Sequence, residues 1–243
     1  SGSNGANGAG ADALPAMLES LGCEVFLLNC EPNGVFTRGT EPLPENLADL
    51  CQAVKDNDAD AGFAVDPDAD RLAVVNEKGR PLGEEYSLVL ASDGYLRDTN
   101  KREIFVVNLS TSMALEKLAA FNNSSVVRSS VGEINVVNKM NEVGSNLGGE
   151  GNGGIILREC HLGRDSLVGA TMVLNRMSQT NDPLSVIHRL LPQFEIVKDK
   201  ISLEGTDPEI LVDKVSHLFN DADKNIIDGV KFTWDESWVH LRK

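Results

Sequence analysis

Residues 60–80 read DAGFAVDPDADRLAVVNEKGR, and this stretch decides the architecture. GFAV and LAVV are short apolar runs bounded by turn residues, which predicts two strands. The second strand runs into a turn around Gly79. Between the strands lies Asp66-Pro67-Asp68-Ala69-Asp70-Arg71. Working outward, ADALPAMLESLG (11–22) has apolar residues at helical spacing and stops at Gly22. CEVFLLN (23–29) predicts a buried strand, and ENLADLCQAVKDN (45–57) a helix. Helix–strand–helix–strand is the pattern of a sheet flanked by helices.

A second round follows. EEYSLVLASDGYLRD (84–98) predicts a helix, EIFVVNL (103–109) a buried strand and SMALEKLAAFN (112–122) a helix. SSVVRS (124–129) predicts a strand, and EINVVNKMNEVG (133–144) a helix. After the glycine-dense NLGGEGNGGIIL (146–157), helices are expected over 164–179, with Asp165 near the start, and over 183–194. The last fifty residues differ: an extended segment at 194–205, an amphipathic helix at 207–223, and strands VKFTW (230–234) and SWVHLRK (237–243). The expected fold is α/β: two successive three-layer α/β/α domains with mixed sheets, over 1–80 and 81–194. The start of a third α+β domain follows at 195–243. No internal repeat of 20–50 residues is evident.

The chain has 243 residues, 41% hydrophobic and 24% charged, enough for a sizeable core. Its formal charge of −15 argues against nucleic acid and against an anionic membrane surface as partners. No run of 18 apolar residues predicts a membrane span. The opening SGSNGANGAG lacks the basic and apolar regions of a signal peptide, which predicts a cytoplasmic protein or a chain with a trimmed start. Cys23, Cys30, Cys51 and Cys160 form no C-x-x-C pair, so buried reduced thiols are expected.

Asp66, Asp68 and Asp70 alternate, and alternate residues of extended chain share a face. Three like charges there repel unless a cation compensates them. Oxygen-only donors suit Mg²⁺ or a similar hard cation. Arg71 adds a donor fork suited to a phosphate beside that metal. The other readings are a solvated acidic turn and an EF-hand loop. The latter fails at its sixth position, where Arg71 replaces the needed glycine. The second feature, residues 148–154, packs five glycines around Glu150 and Asn152. Gly149 and Gly151 would let backbone approach a ligand, while Glu150 and Asn152 could bond sugar hydroxyls. A plain hairpin turn is the alternative. Ser110 and Ser112 read as helix-start caps, and His188, His217 and His240 as partly buried structural residues. His161 is a candidate for the cleft because it lies near the glycine loop in sequence.

The two loops together resemble the α-D-phosphohexomutase superfamily, which includes phosphoglucomutase/phosphomannomutase and phosphoglucosamine mutase. NGAG with LPAMLESLGCEV, EPNGVF and EPLPENL is similar to the second domain of that family. SSVGEINVVNKM, GGEGNGG and HLGRD are similar to the third, and DGVKFTWDESWVHLRK to the opening of the fourth. The resemblance implies Mg²⁺ on Asp66, Asp68 and Asp70, a catalytic Arg71, and sugar binding by Gly149, Glu150, Gly151 and Asn152. It implies phosphoryl movement between C1 and C6 of a hexose phosphate, through a phosphoserine and a bisphosphate intermediate. The family's S-H-N-P-like phosphoserine loop is not in this sequence, and its distal phosphate loop would begin at Arg242. The strand that precedes NGAG in the family is not evident either. The remaining N- and C-terminal domains of the same enzyme are therefore expected partners, and this chain alone is expected to be inactive. Asn152, Gly154 and Glu133 stand where many relatives carry Ser, His and His, which resembles the phosphoglucosamine mutase side. Glucose, mannose and glucosamine all stay open, as does a non-catalytic protein that binds metal and sugar phosphate.

Overall fold

The computed structural model describes residues 2–4, 7–31, 39, 41–202, 205 and 207–242. Of the EPNGVF stretch only Glu31 falls among them, as do the GSN, NG and AG residues of the opening segment. The first unit runs β1 (Gly2–Asn4), α1 (Gly10–Ser20), β2 (Phe26–Leu28), a 3₁₀ turn at Pro44–Asn46, α2 (Ala48–Asp56), β3 (Ala61–Val65) and β4 (Leu72–Asn76). The second runs α3 (Tyr86–Thr99), β5 (Ile104–Asn108), α4 (Ala114–Phe121), β6 (Ser125–Ser129), α5 (Glu133–Val143), β7 (Leu147–Glu150), β8 (Gly154–Leu157), α6 (Ser166–Ser178) and α7 (Leu184–Leu190). The last part holds α8 (Pro208–Val215), β9 (Asp223–Asn225), β10 (Val230–Thr233) and β11 (Trp238–Leu241).

The first two sheets have one topology. Their strand orders are β2-β1-β3-β4 and β6-β5-β7-β8. In each, the first three strands are parallel and the fourth returns antiparallel in a hairpin. The architecture thus repeats at domain scale although no short repeat is visible in the sequence. Both faces of each sheet are covered, which is why β3, β4 and β5 read as continuous apolar runs. Phe63, Leu72, Val74, Phe105, Val107 and Ile155 face a common core that also holds Leu14, Leu88, Leu115 and Val173 from α1, α3, α4 and α6. The alternate residues Ala64, Ala73 and Val75 face Leu50 and Val54 of α2. Val106 and Ile156 face Val136 and Met140 of α5. A layer of helices is therefore shared between the sheets, and α3 and α6 touch both β4 and β8. Asp165 starts α6 by accepting from the amides of Leu167 (2.8 Å) and Val168 (3.0 Å).

Several expectations are corrected. Gly2–Asn4 does form the strand before NGAG, pairing with both β2 and β3. The 23–29 segment is a three-residue edge strand and not a buried one, with Leu27 57% exposed, because it pairs with β1 alone. The glycine-dense stretch is two strands, β7, whose two central glycines hid its β pattern, and β8, a short apolar run after Gly154. The helix expected to 223 ends at Val215, and β9 follows. No strand forms among the described residues of 194–205.

The third sheet, β11-β10-β9, is antiparallel and docks on the carboxyl end of β5. Lys231, 2% exposed, donates from Nζ to the Leu109 carbonyl at 2.7 Å and lies 4.5 Å from the Trp238 ring centroid. Burial, and then the nearby Arg128, pulls Lys231 down to about 7. Among the described residues, no helix is long and apolar enough to cross a membrane.

Candidate functional site

The two hairpins place their loops side by side. β3–β4 turns through residues 66–71 and β7–β8 through 151–153, and both lie where parallel strands end. The loops touch directly: Arg71 bridges Gly154, and the Leu72 amide donates to the Gly153 carbonyl at 3.0 Å. Gly151 passes so close to the Glu85 carboxylate that a Cβ there would sit 2.1 Å from Oε2. Gly153 has φ +91°, a conformation that side chains resist.

Asp66 is fully buried and organises its own loop. Its Oδ1 accepts from the amides of Asp70 (3.0 Å) and Arg71 (2.9 Å), and its Oδ2 from Arg71 Nε (2.7 Å). Ala69, at φ +60°, completes the turn, and Ser166 at the start of α6 donates its Oγ to the Ala69 carbonyl at 2.7 Å. The result gathers Asp66, Asp68 and Asp70 so that one oxygen of each lies within 4.8 Å of the others. Burial opposes the charge on Asp66, but the hydrogen bonds from Arg71 and Asp70 outweigh it and hold the carboxyl below its usual range. Asp70 goes the other way. Burial, a hydrogen bond with Asp66 and repulsion from it push Asp70 up to about 6, against the pull of Arg164. Asp70 Oδ1 is buried and accepts no hydrogen bond, its nearest cation being Arg71 Nε at 3.8 Å. An orphaned carboxylate oxygen among three acids fits a hard divalent cation, and Asp66, Asp68 and Asp70 could hold one.

Arg71 lies beside the aspartates, with Nη1 on Glu41 Oε1 at 2.9 Å. Glu150 is 3% exposed, and three donors converge on it: Asn108 Nδ2 (2.8 Å), the Gly132 amide (3.0 Å) and Arg164 Nη1 (2.8 Å). It is not a loop residue on which little packing depends. Asn152 accepts from the Gly154 amide at 3.2 Å within its own turn, and Gly149 lies inside β7, against Leu88. His161 bonds Asp165 Oδ2 at 2.9 Å on the exposed side of its loop.

Sequence reasoning passed over Arg164, although it lies in the HLGRD stretch. Its guanidinium reaches Glu133 Oε2 from Nε (3.1 Å), Glu150 Oε2 from Nη1 (2.8 Å) and Asp70 Oδ2 from Nη2. The adjacent helix start, with Asp165 as its cap, was the available signal. Glu85 was passed over too: it is buried, accepts from the Ser112 amide at 2.9 Å, and burial pushes it up to about 8. Ser112 lies just before α4 and accepts from the Ala114 amide at 3.1 Å, while the cap position itself is Met113, whose side chain makes no cap bond. Ser110 instead meets His240 Nδ1 at 2.9 Å, a partner 130 residues away. His217 is exposed and not partly buried.

Comparison with known proteins agrees with this geometry. The phosphoglucomutase/phosphomannomutase α/β/α domain II profile matches residues 3–79, and the domain III profile matches residues 83–194. The chain is 35% identical over 239 residues to a phosphoglucomutase/phosphomannomutase of Thermococcus kodakarensis, covering 97% of this chain and 52% of that protein. It is 34% identical over 242 residues to a probable phosphoglucosamine mutase of Methanopyrus kandleri, covering 98% and 53%. The chain thus spans about half the length of the curated relatives it matches. Among solved structures, a phosphoglucomutase/phosphomannomutase family protein of Burkholderia thailandensis shares the fold at TM-score 0.86 and 23% identity, over all of this chain and 53% of that one. An Aspergillus fumigatus N-acetylphosphoglucosamine mutase, solved with GlcNAc-6P and magnesium, shares it at TM-score 0.61 and 13% identity, over 94% and 60%. With both of its α/β/α domains matched in order and its two hairpin loops joined, the chain belongs to the phosphoglucomutase/phosphomannomutase family of the α-D-phosphohexomutase superfamily.

Proposed function

We propose that this chain is the metal- and sugar-binding middle of a phosphohexomutase, which moves a phosphoryl group between C1 and C6 of a hexose phosphate. The observation that carries the reading is the direct joining of the aspartate loop to the glycine loop at Arg71 and Gly154. In this reading the joined loops are a cation site and a hydroxyl-reading loop lying side by side. Asp66, Asp68 and Asp70 would hold Mg²⁺, which supplies positive charge that polarises a phosphoryl oxygen. Arg71 anchors the loop through Asp66 and keeps its guanidinium beside the phosphate position. Asn152 and the backbone of Gly151 border the sugar, while Gly149, expected there, lies within β7 and Glu150 holds the loop from beneath. A serine supplied by another part of the complete enzyme would give and take the phosphoryl group, through a bisphosphate that turns over in the cleft. Positioning and charge neutralisation do most of the work in such transfers. Glu133 and Asn152 make glucosamine phosphate the first substrate to assay, ahead of glucose and mannose phosphates. The domains at 1–80, 81–194 and 195–243 divide these tasks, and the protein is cytoplasmic in this reading.

Two outcomes test it. Asp68→Asn is expected to weaken Mg²⁺ binding at least several-fold in a calorimetric titration, because one of three charged donors is neutralised. Since Asp68 is exposed, the melting temperature without metal should hold or rise. Unchanged Mg²⁺ binding refutes the metal assignment. The 243-residue chain by itself is expected to show no turnover with Mg²⁺, glucosamine 6-phosphate and a trace of the bisphosphate, because the sequence offers no S-H-N-P-like serine loop. Turnover above that of an Asp70→Ala control refutes the division of labour.

A further inference from the structure

Among the described residues, Arg164 is the side chain that binds both loops at once. It spends its three donor directions on three carboxylates carried by three different elements: Asp70 in the β3–β4 loop, Glu133 in the first turn of α5, and Glu150 at the end of β7. Its side chain is only 17% exposed. The backbone around it is pinned independently, since Asp165 caps α6 and Ser166 holds the Ala69 carbonyl. The local fold therefore does not need the guanidinium to keep its place. One positive charge among three negative ones leaves an excess of acid, and Asp66 and Asp68 add two more negative charges against the one positive charge of Arg71. Asp70 is also the aspartate with an orphaned Oδ1. A cation on the three aspartates and the Arg164 Nη2 thus draw on the same carboxylate.

We infer that Arg164 couples the two loops, so that a divalent cation on Asp66, Asp68 and Asp70 and a hexose phosphate at the glycine loop each tighten the other. The inference rests on the proposed function of the two loops. The cation takes over the charge of Asp70, and Arg164 Nη2 is released from it. Arg164 stays tethered through Glu133 and Glu150, so the freed N–H remains in the cleft and donates to an oxygen of the sugar phosphate. Reciprocity then follows, because a coupling between two binding equilibria has one value read from either side. Arg164 is a positioning residue in this scheme: it carries the state of one loop to the other.

The test is a calorimetric cycle on the 243-residue chain with Mg²⁺ and glucosamine 6-phosphate, each alone and each with the other saturating. In the parent, each ligand is expected to tighten the other about fivefold or more, at the low end of ordinary couplings. In Arg164→Met the ratio is expected to fall to about one. That variant should also bind Mg²⁺ alone at least as tightly as the parent, because a competing cation has gone. A merely structural arginine predicts the opposite sign: weaker Mg²⁺ binding together with a collapsed melting temperature. Arg164→Lys keeps the charge but cannot span three carboxylates, so it should retain Mg²⁺ binding and lose most of the coupling. Should Arg164→Met not fold, Glu133→Gln loosens the tether from outside both loops and is expected to cut the coupling as well. Undiminished coupling in the folded variants overturns the inference. So does independent binding of the two ligands to the parent, which leaves the reading of the loops standing. If the parent binds neither ligand, that reading falls and this inference falls with it.

Discussion

Glu150→Ala is expected to lower the unfolding free energy by about 3 kcal/mol, the scale for stripping a buried acceptor from a charged donor and its neighbours. Three donors lose their acceptor at once: the Asn108 amide, the Gly132 backbone N–H and Arg164 Nη1. Asn108 is itself only 5% exposed, so water cannot replace the lost oxygen without opening the end of β5. Glu150→Gln retains one carbonyl oxygen but turns an NH₂ toward the other donors, and should cost about half as much. Urea denaturation with matched slopes measures both. If Glu150→Ala unfolds within about 0.5 kcal/mol of the parent, the ordinary scatter of surface changes, the buried network is not holding the loop.

Glu85→Gln is expected to make the protein more stable, by an amount that grows with pH. Glu85 is buried, and it has a folded value of about 8 against 4.5 for the free side chain. Burial is the cause, opposed by the Ser112 amide, Lys198 and Arg128 and helped by Glu84. Between those two values the folded state keeps a proton that the unfolded state has released. Stability therefore falls as pH rises through that window, at about 1.4 kcal/mol per pH unit. Glutamine carries no such proton and still offers an oxygen to the Ser112 amide. Below pH 4.5 parent and variant should agree, and above pH 8 the variant should lead by about 5 kcal/mol. Unfolding curves at pH 4.5, 7 and 8.5 decide it. Parallel pH profiles would mean that Glu85 is ionised in the fold.

What the sequence made legible follows from where each strand lies. β3, β4 and β5 are covered on both faces, so each shows an unbroken apolar run. The aspartate loop was legible because alternating acids between two such runs have few other uses. β7 was hidden because its glycines carry no periodicity, and β2 misled because its apolar residues promised a burial that an edge position does not give. The contacts missed were those between residues remote in the chain. Arg164 reaches Asp70 across 94 residues and Lys231 reaches Leu109 across 122. Sequence spacing carries no trace of such contacts. Glu150 was found, but its surroundings were misjudged: glycine neighbours along the chain suggested an open turn, whereas Asn108 and Arg164 close over it in space.

The layer of helices held in common by the two sheets has a mechanical meaning. A hinge needs a boundary that few buried contacts cross. Here α3 and α6 are glued to both sheets through one continuous core, so the two halves cannot swing apart without exposing Leu72, Leu88 and Ile155. The aspartate loop and the glycine loop are thus fixed jaws. The segment at 195–202 is the contrast: it carries no regular structure, and Val197 is 92% exposed. Displacement of the small third sheet along that segment would leave both jaws in place.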